Sequence, residues 1–156
     1  MVFEDTVVIS APASAVWDFL LDVDRVSSCM PGVENVVQIN DRTFDGMIAA
    51  SVGPIAGHFS FRAHILESDP PRELVAEVDG TDSVTKSTVK SAMTMSLSPL
   101  GDGETSLTYR TTIDIKGRLA ILGEMMLRAT GALMIEEFTK RVKAALAPTG
   151  PQEVSS

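Results

Sequence analysis

The feature of this sequence that most constrains its fold is a change of hydrophobic period near residue 117. Between residues 33 and 115, apolar and polar residues alternate in short segments, and this pattern predicts six strands with one apolar face each. Turn-forming residues separate the segments at Asn40-Asp41, Gly53-Pro54, Asp69 to Pro71, Gly80 to Asp82 and Gly101 to Gly103. After Gly117, apolar residues recur at helical spacing for nearly thirty residues, which predicts one long helix.

The N-terminal segment predicts one further strand and one or two short helices. Residues 3 to 9 alternate, and the apolar side of this strand consists of Phe3, Val7 and Ile9. The sequence Ser10-Ala11-Pro12 is typical of a helix start, and apolar residues then recur at helical spacing through Asp24. A second short helix has to end before Pro31, because proline disfavours helical backbone at the preceding residue.

Together these elements predict a single α+β domain over residues 1–147, followed by a disordered tail, residues 148–156, that is too poor in apolar residues to fold. The expected architecture is a seven-stranded curved antiparallel sheet wrapped on the long C-terminal helix, with one or two short helices after the first strand. A curved sheet and a straight helix match poorly, so we expect a mostly apolar pocket between them. The alternative is an ordinary closed core in which methionine fills the gaps.

Nine residues on the two predicted facing surfaces are candidates for contact with an apolar ligand. Five lie on the inward face of the predicted sheet: Phe59, Phe61, Met93, Met95 and Tyr109. Four belong to the helical stripe: Leu122, Met126, Ala129 and Leu133. The polar member is Tyr109, whose hydroxyl is expected either to bond within the core, or to orient a carbonyl or quinone oxygen, or to donate a proton.

The charge and the cysteine content exclude several classes of protein. A net charge of -8 argues against a nucleic-acid-binding protein, since phosphate contacts need clustered Lys and Arg. The single cysteine, Cys29, excludes an intramolecular disulfide and favours a cytoplasmic location. Glu4 and Asp5 stand where a signal peptide carries positive charge, and the apolar stretch 46–57 is too short to span a bilayer.

The residue patterns predict neither catalysis nor a metal site. The segment SSCMPG, residues 27–32, offers no base or cation to activate Cys29, so a small buried or loop residue is the favoured interpretation and a catalytic thiol the alternative. His58 and His64 share a face of one strand, but about 20 Å separates them on a regular strand, which is too far for one ion. No cofactor is therefore expected, apart from a bound quinone or other apolar small molecule.

Five stretches of the sequence together resemble the family of the G subunit of carbon monoxide dehydrogenase. They are the segment from Val8 to Asp22, CMPG at residues 29–32, SVGPIAGHFSF from Ser51 to Phe61, DPP from Asp69 to Pro71, and LTYRTTIDIKGRLAILG from Leu107 to Gly123. That family belongs to the START-related, Bet v 1-like superfamily of helix-grip domains. The resemblance extends over residues 2–146.

The resemblance implies a helix-grip fold and a non-catalytic accessory protein of a carbon monoxide dehydrogenase-like molybdenum oxidoreductase. It implies molybdenum hydroxylase-type enzyme subunits as partners, a cavity for a quinone- or lipid-like ligand, and peripheral contact with the inner face of the membrane through a partner. It also implies that CMPG is a structural signature without thiol chemistry. The alternatives are a small polyketide cyclase/dehydratase-like enzyme with Tyr109 as its acid, or a stand-alone lipid-binding protein of the same superfamily.

Overall fold

A seven-stranded antiparallel sheet and a C-terminal helix dominate the computed structural model, which describes residues 1–101 and 103–148. The strands are β1 (Val2–Ile9), β2 (Val33–Asn40), β3 (Thr43–Val52), β4 (Ile55–Asp69), β5 (Glu73–Asp82), β6 (Ser87–Gly101) and β7 (Glu104–Lys116). The helices are α1 (Ala13–Leu21), α2 (Val23–Ser27) and α3 (Glu124–Leu146), and a 3-10 helix spans Arg118–Leu122. The predicted α+β class, the seven strands and the two short helices after β1 are confirmed. Apart from Pro148, the predicted tail lies outside the described residues.

The strands are arranged in the order β1-β7-β6-β5-β4-β3-β2, so the first two strands of the chain form the two edges of the sheet. Residues paired directly across antiparallel strands point to the same face. One inward row therefore runs across five strands through Phe3, Thr111, Met93, Ala76 and Ile65. The neighbouring inward row contains Asp5, Tyr109, Met95 and Leu74.

The two short helices cross from one edge strand to the other and close one end of the sheet. Pro12 precedes the first turn of α1 with extended backbone, as its fixed φ favours. Asp22 ends α1 and caps α2, because its carboxylate accepts a hydrogen bond from the Arg25 amide at 3.2 Å. The start of α1 is held to β7 by the buried Thr105 hydroxyl, which donates to the Ala11 carbonyl at 2.7 Å.

The predicted single C-terminal helix is wrong in its first turns. Gly117 and Gly123 have φ angles of 95° and 88°, in the left-handed region that interrupts a helix, and the short 3-10 helix lies between them. The α-helix that follows, α3, has 23 residues. Gly123 therefore precedes α3, whereas the continuous helix expected after Gly117 would include it. Among the helices in the described parts of the chain, none is long and apolar enough to cross a membrane.

Three connections pack together at the end of the sheet opposite α1, and we call this region the loop end. It consists of the β3–β4 turn at Gly53-Pro54, the β5–β6 turn at residues 83–86, and the 3-10 helix. The Leu119 amide donates a 3.0 Å hydrogen bond to the buried Ser87 hydroxyl, which ties the 3-10 helix to the start of β6. Gly117 lies so close to the Lys86 carbonyl oxygen that an added Cβ would stand 2.0 Å from it. The loop end is therefore tightly packed.

The carboxylate of Asp82 organises the β5–β6 turn. It accepts hydrogen bonds from the backbone amides of Val84 at 2.8 Å and of His58 at 3.1 Å. The His58 amide is the largest influence that lowers the pKa of Asp82, and the Val84 and Thr85 donors lower it further. Because the folded pKa lies below the ordinary value, the ionised carboxylate stabilises the fold above that value and loses its effect as the pH falls through the folded pKa.

We expect the Asp82→Asn variant to unfold at lower urea concentration than the wild type at neutral pH. An amide has only one acceptor oxygen, so one of the two backbone donors loses its partner. The difference should shrink as the pH falls from the ordinary carboxyl pKa, about 4, through the lowered pKa of folded Asp82, where the wild-type carboxylate also becomes protonated. Urea melts of both proteins across this range provide the measurement, and a difference that stays constant with pH would contradict this role of Asp82.

Candidate functional site

Two separate apolar clusters fill the two ends of the space between the inward face of the sheet and α3. The first cluster packs α1 and the C-terminal half of α3 against the sheet, and its buried members include Phe19, Met95 and Val142. The second cluster lies at the loop end and joins Val52, Phe59, Leu119 and Leu127. These clusters are the closed parts of the interior, so any internal site has to lie between them.

Between the clusters lies a set of inward-facing side chains that we call the central belt. The belt belongs to neither cluster, and each member is only half-buried. Its members are Phe61, Ala63, Val78, Met93, Thr111 and Met134. Side chains at the middle of a closed core are normally fully buried and touched on every side. Their half-burial therefore indicates space between the sheet and α3 at this level, and that space has a mostly apolar lining.

The structure brings only some of the nine predicted ligand-contact residues to this space. Phe61 and Met93 belong to the central belt, and the half-buried Tyr109 lies in the next inward row. Phe59 and Met95 are buried members of the two clusters, and Leu122 packs against the second. Met126 lies over the β3–β4 turn, where its sulfur is 2.6 Å from the position that a Cβ on Gly53 would take. Contact of these residues with a ligand stays a prediction.

The prediction that Ala129 and Leu133 face the sheet is wrong. Both are exposed, Leu133 to 67%. The buried positions of α3 are Leu127 and Val142, and between them Gly131 approaches β1 so closely that a Cβ would lie 2.8 Å from the Phe3 ring. Residues two apart on a helix point in different directions, so the face that contains Leu127 and Gly131 turns Ala129 and Leu133 towards solvent.

A groove of about 840 Å³ lies between the edge strand β1 and one flank of α3. Its lining mixes apolar and charged side chains, among them Phe3, Asp5, Ile135, Lys140 and Lys143. The Arg128 guanidinium lies 5.4 Å from the centre of the Phe3 ring and donates to the Val2 carbonyl at 3.1 Å. The volume is in the range of small-molecule sites. This groove was not predicted from the sequence, although the alternation of β1 does place Asp5 on the same side as Phe3 and Val7.

Tyr109 lines this groove and also packs against the first cluster. Within the described residues, its hydroxyl has no hydrogen-bond partner at a bonding distance. Burial raises the pKa of the Tyr109 phenol, and the neighbouring Asp5 carboxylate raises it further. The phenol therefore stays protonated at neutral pH and can donate a hydrogen bond to an oxygen atom placed in the groove.

The surroundings of the single cysteine and of the two histidines indicate structural roles. Cys29 is buried in the first cluster, which agrees with a small core residue. His58 contacts Glu34 at 3.0 Å, and the His64 ring contacts the Thr43 hydroxyl at 3.2 Å. In the parts of the chain that the structure describes, no group of three or more His, Cys, Asp or Glu side chains is arranged to hold a metal ion.

A comparison with known families identifies the wider group. Residues 6–147 match the family described as the G subunit of carbon monoxide dehydrogenase (CoxG). The chain belongs to this family. The match covers most of the 156 residues. It begins within β1, at Thr6, and includes both short helices, strands β2 to β7 and α3. A search of curated proteins found no match.

Solved structures similar to this CoxG-family chain have the same fold across nearly the whole chain. A conserved protein from Geobacillus kaustophilus has a TM-score of 0.87 at 21% identity and covers 96% of this chain and 97% of its own. The Zhui aromatase/cyclase from Streptomyces sp. R1128 has a TM-score of 0.71 at 17% identity, with coverages of 96% and 94%. A START superfamily protein from Mycobacterium smegmatis has a TM-score of 0.70 at 14% identity, with coverages of 93% and 96%. The predicted START-like fold is thereby confirmed.

Proposed function

We propose that this CoxG-family protein is a non-catalytic accessory protein that holds an apolar, quinone- or lipid-like molecule between the sheet and α3. It would help to recruit or assemble a carbon monoxide dehydrogenase-like molybdenum oxidoreductase, whose metal centre lies in the partner enzyme. The observation that carries the ligand part is the half-buried central belt between two closed clusters. The family membership supports the partner part.

The chemistry of the central belt supports an apolar ligand. Phe61, Met93 and Met134 offer aromatic and thioether surface, and methionine adapts to irregular apolar shapes. Gly46 lies opposite Phe61 on β3, where a Cβ would be 2.6 Å from the Phe61 ring. Because Gly46 has no side chain, the Phe61 ring has room to lie against the backbone of β3. A flat aromatic surface on the wall of the space suits a planar or isoprenoid group.

The first test is native mass spectrometry of the gently purified protein, followed by organic extraction and identification of the bound molecule. We expect a stoichiometric apolar molecule, or uptake of an isoprenoid quinone when the protein is incubated with one. A mass equal to that of the bare chain, unchanged after incubation with quinones and lipids, would contradict the ligand part. Size-exclusion chromatography with a purified molybdenum hydroxylase tests the partner part separately, and two independent elution peaks would contradict it.

A small enzyme of the cyclase or dehydratase type is the second candidate. The observation that favours it is the protonated Tyr109 phenol, which lies on a groove of about 840 Å³ without a partner in the described residues. An acid of this kind would protonate a carbonyl oxygen of the substrate. The Tyr109→Phe variant distinguishes the candidates, because it should abolish turnover of a polyketide substrate if this candidate is correct. Unchanged turnover would remove Tyr109 as the acid.

A further inference from the structure

The hydroxyl groups in the interior fall into two sets. At the closed ends of the interior they bond within the chain: Thr105 donates to the Ala11 carbonyl at 2.7 Å, and the Ser87 hydroxyl accepts from a backbone amide of the 3-10 helix at 3.0 Å. In the middle, the hydroxyls of Ser91 on β6 and Thr111 on β7 have no hydrogen-bond partner among the described residues. An interior hydroxyl without a partner costs free energy, so its partner has to come from outside the chain.

The strand register places both hydroxyls on the wall of the central belt. Thr111 is itself a member of the belt and lies opposite Met93, while Ser91 lies opposite the belt member Val78. Both Ser91 and Thr111 are half-buried. Because Ser91 precedes Met93 by two positions on β6, it is the diagonal neighbour of Thr111, and such neighbours lie about 7–8 Å apart. One ring-sized group can therefore contact both hydroxyls.

Both hydroxyls border open space and are not sealed by packed side chains. In the described ranges 1–101 and 103–148, every side-chain nitrogen or oxygen of a non-exposed residue that is inaccessible to water has a hydrogen-bond partner. The Ser91 and Thr111 hydroxyls have no such partner, so they must be accessible. This observation concerns single oxygen atoms and adds to the half-burial of the belt. Together the two observations place room for a ligand beside this pair of hydroxyls.

We propose that the Ser91 and Thr111 hydroxyls donate hydrogen bonds to carbonyl oxygens of the molecule held in the central belt. The inference rests on the proposed function and specifies the ligand as an apolar molecule with an oxygenated ring, not a plain hydrocarbon chain. Neutral hydroxyl donors suit neutral carbonyl oxygens, because the surrounding side chains of Phe61, Met93 and Met134 carry no charge that could balance an ion. The oxygenated edge of the ring then lies against β6 and β7.

Titration of the full chain with two probes tests this proposal. Decylubiquinone has ring carbonyls, and decylbenzene has the same length of alkyl chain on a ring without oxygen. The Ser91→Ala/Thr111→Val variant should bind decylubiquinone about fivefold more weakly for each hydroxyl removed, and should bind decylbenzene as well as the wild type does. The infrared carbonyl stretch of bound decylubiquinone should also move to higher wavenumber in the variant, because the carbonyl oxygens lose their hydrogen-bond donors.

The Thr112→Val variant is the matched control, because Thr112 is the next residue on β7, points to the opposite face and donates to the Ala92 carbonyl at 3.5 Å. It should bind both probes like the wild type. The hydroxyls of Ser91 and Thr111 have no partner to lose, so the double variant should melt close to the wild type. An equal loss of both probes, or an unchanged decylubiquinone affinity and carbonyl stretch, would overturn this inference but leave an apolar ligand in place. Failure of both probes to bind the wild type would overturn the proposed ligand as well.

Discussion

Replacing Gly32 with alanine is expected to lower the free energy of unfolding by more than about 3 kcal/mol. Gly32 is the last residue of the CMPG segment and has a φ of 81°, where a side chain is strained. A Cβ would also lie 2.1 Å from the Ala49 carbonyl oxygen, an overlap that only backbone movement can relieve. The Ala49 amide donates to the Gly32 carbonyl at 2.9 Å, so this movement would break the link between the end of α2 and strand β3.

Gly101 provides a matched control for this substitution. Its φ is 80°, almost the same as that of Gly32, but no atom of the described residues lies within 4 Å of the position of an added Cβ. The Gly101→Ala variant should therefore lose only about 1 kcal/mol from backbone strain. Urea unfolding of both variants separates two costs: the backbone strain that both variants share, and the steric overlap that only the Gly32→Ala variant has. If the two variants unfold at the same urea concentration, close packing on Ala49 is not the reason why the CMPG segment needs glycine at residue 32.

Replacing Met93 with tryptophan should abolish or strongly weaken binding of the apolar molecule. Met93 lies at the centre of the inward face, on β6, and belongs to the half-buried central belt. A larger ring at this position would occupy the space that the proposed ligand needs, and overpacking typically costs about 1–3 kcal/mol. If the ligand has to displace the ring at this cost, its affinity falls by about fivefold to somewhat over a hundredfold. Native mass spectrometry after incubation with a quinone, or titration with the extracted molecule, measures the loss.

Thr94→Trp controls for the effect of a large aromatic side chain on β6. Thr94 is the next residue in the strand, is exposed and points to the opposite face, so tryptophan there adds volume outside the interior. This variant should keep the bound molecule. Retention of the molecule by Met93→Trp, with unchanged affinity, would place the ligand site outside the central belt. The groove at Tyr109 would then be the remaining candidate.

The sheet could be predicted from the sequence because its outer face is solvated. Along β4, for example, Phe59 and Phe61 alternate with the exposed His58, Ser60 and Arg62, so the period of two is visible in the sequence. The same alternation placed Met93, Met95 and Tyr109 on the inward face. It could not show which of them would be enclosed in a cluster and which would border open space, because that depends on where α1 and α3 cross the sheet.

The helical part of the site could not be predicted from apolar spacing. Residues Leu119, Leu122, Met126, Ala129 and Leu133 fit one helical stripe only if the helix is continuous from residue 118. The positive φ angles of Gly117 and Gly123 interrupt this helix. The helix α3 therefore begins only at residue 124, and a different set of its residues faces the sheet. Gly131 belongs to the inward side because it allows close approach to Phe3, whereas a search for apolar side chains overlooks a glycine. The groove depends on the same packing of α3 on β1.

The strand order has a consequence for the synthesis of this protein. The N-terminal amine donates to the Ile113 carbonyl, 112 positions along the chain, and every residue of β1 pairs with β7, the last strand to be made. Folding in which so many contacts join distant residues is slow, since chain entropy is lost before those contacts form. A ribosome thus has to release most of the domain while its first strand is still unpaired. During that interval β1 is a free template for strands of other nascent chains, and protection by a chaperone matters most there.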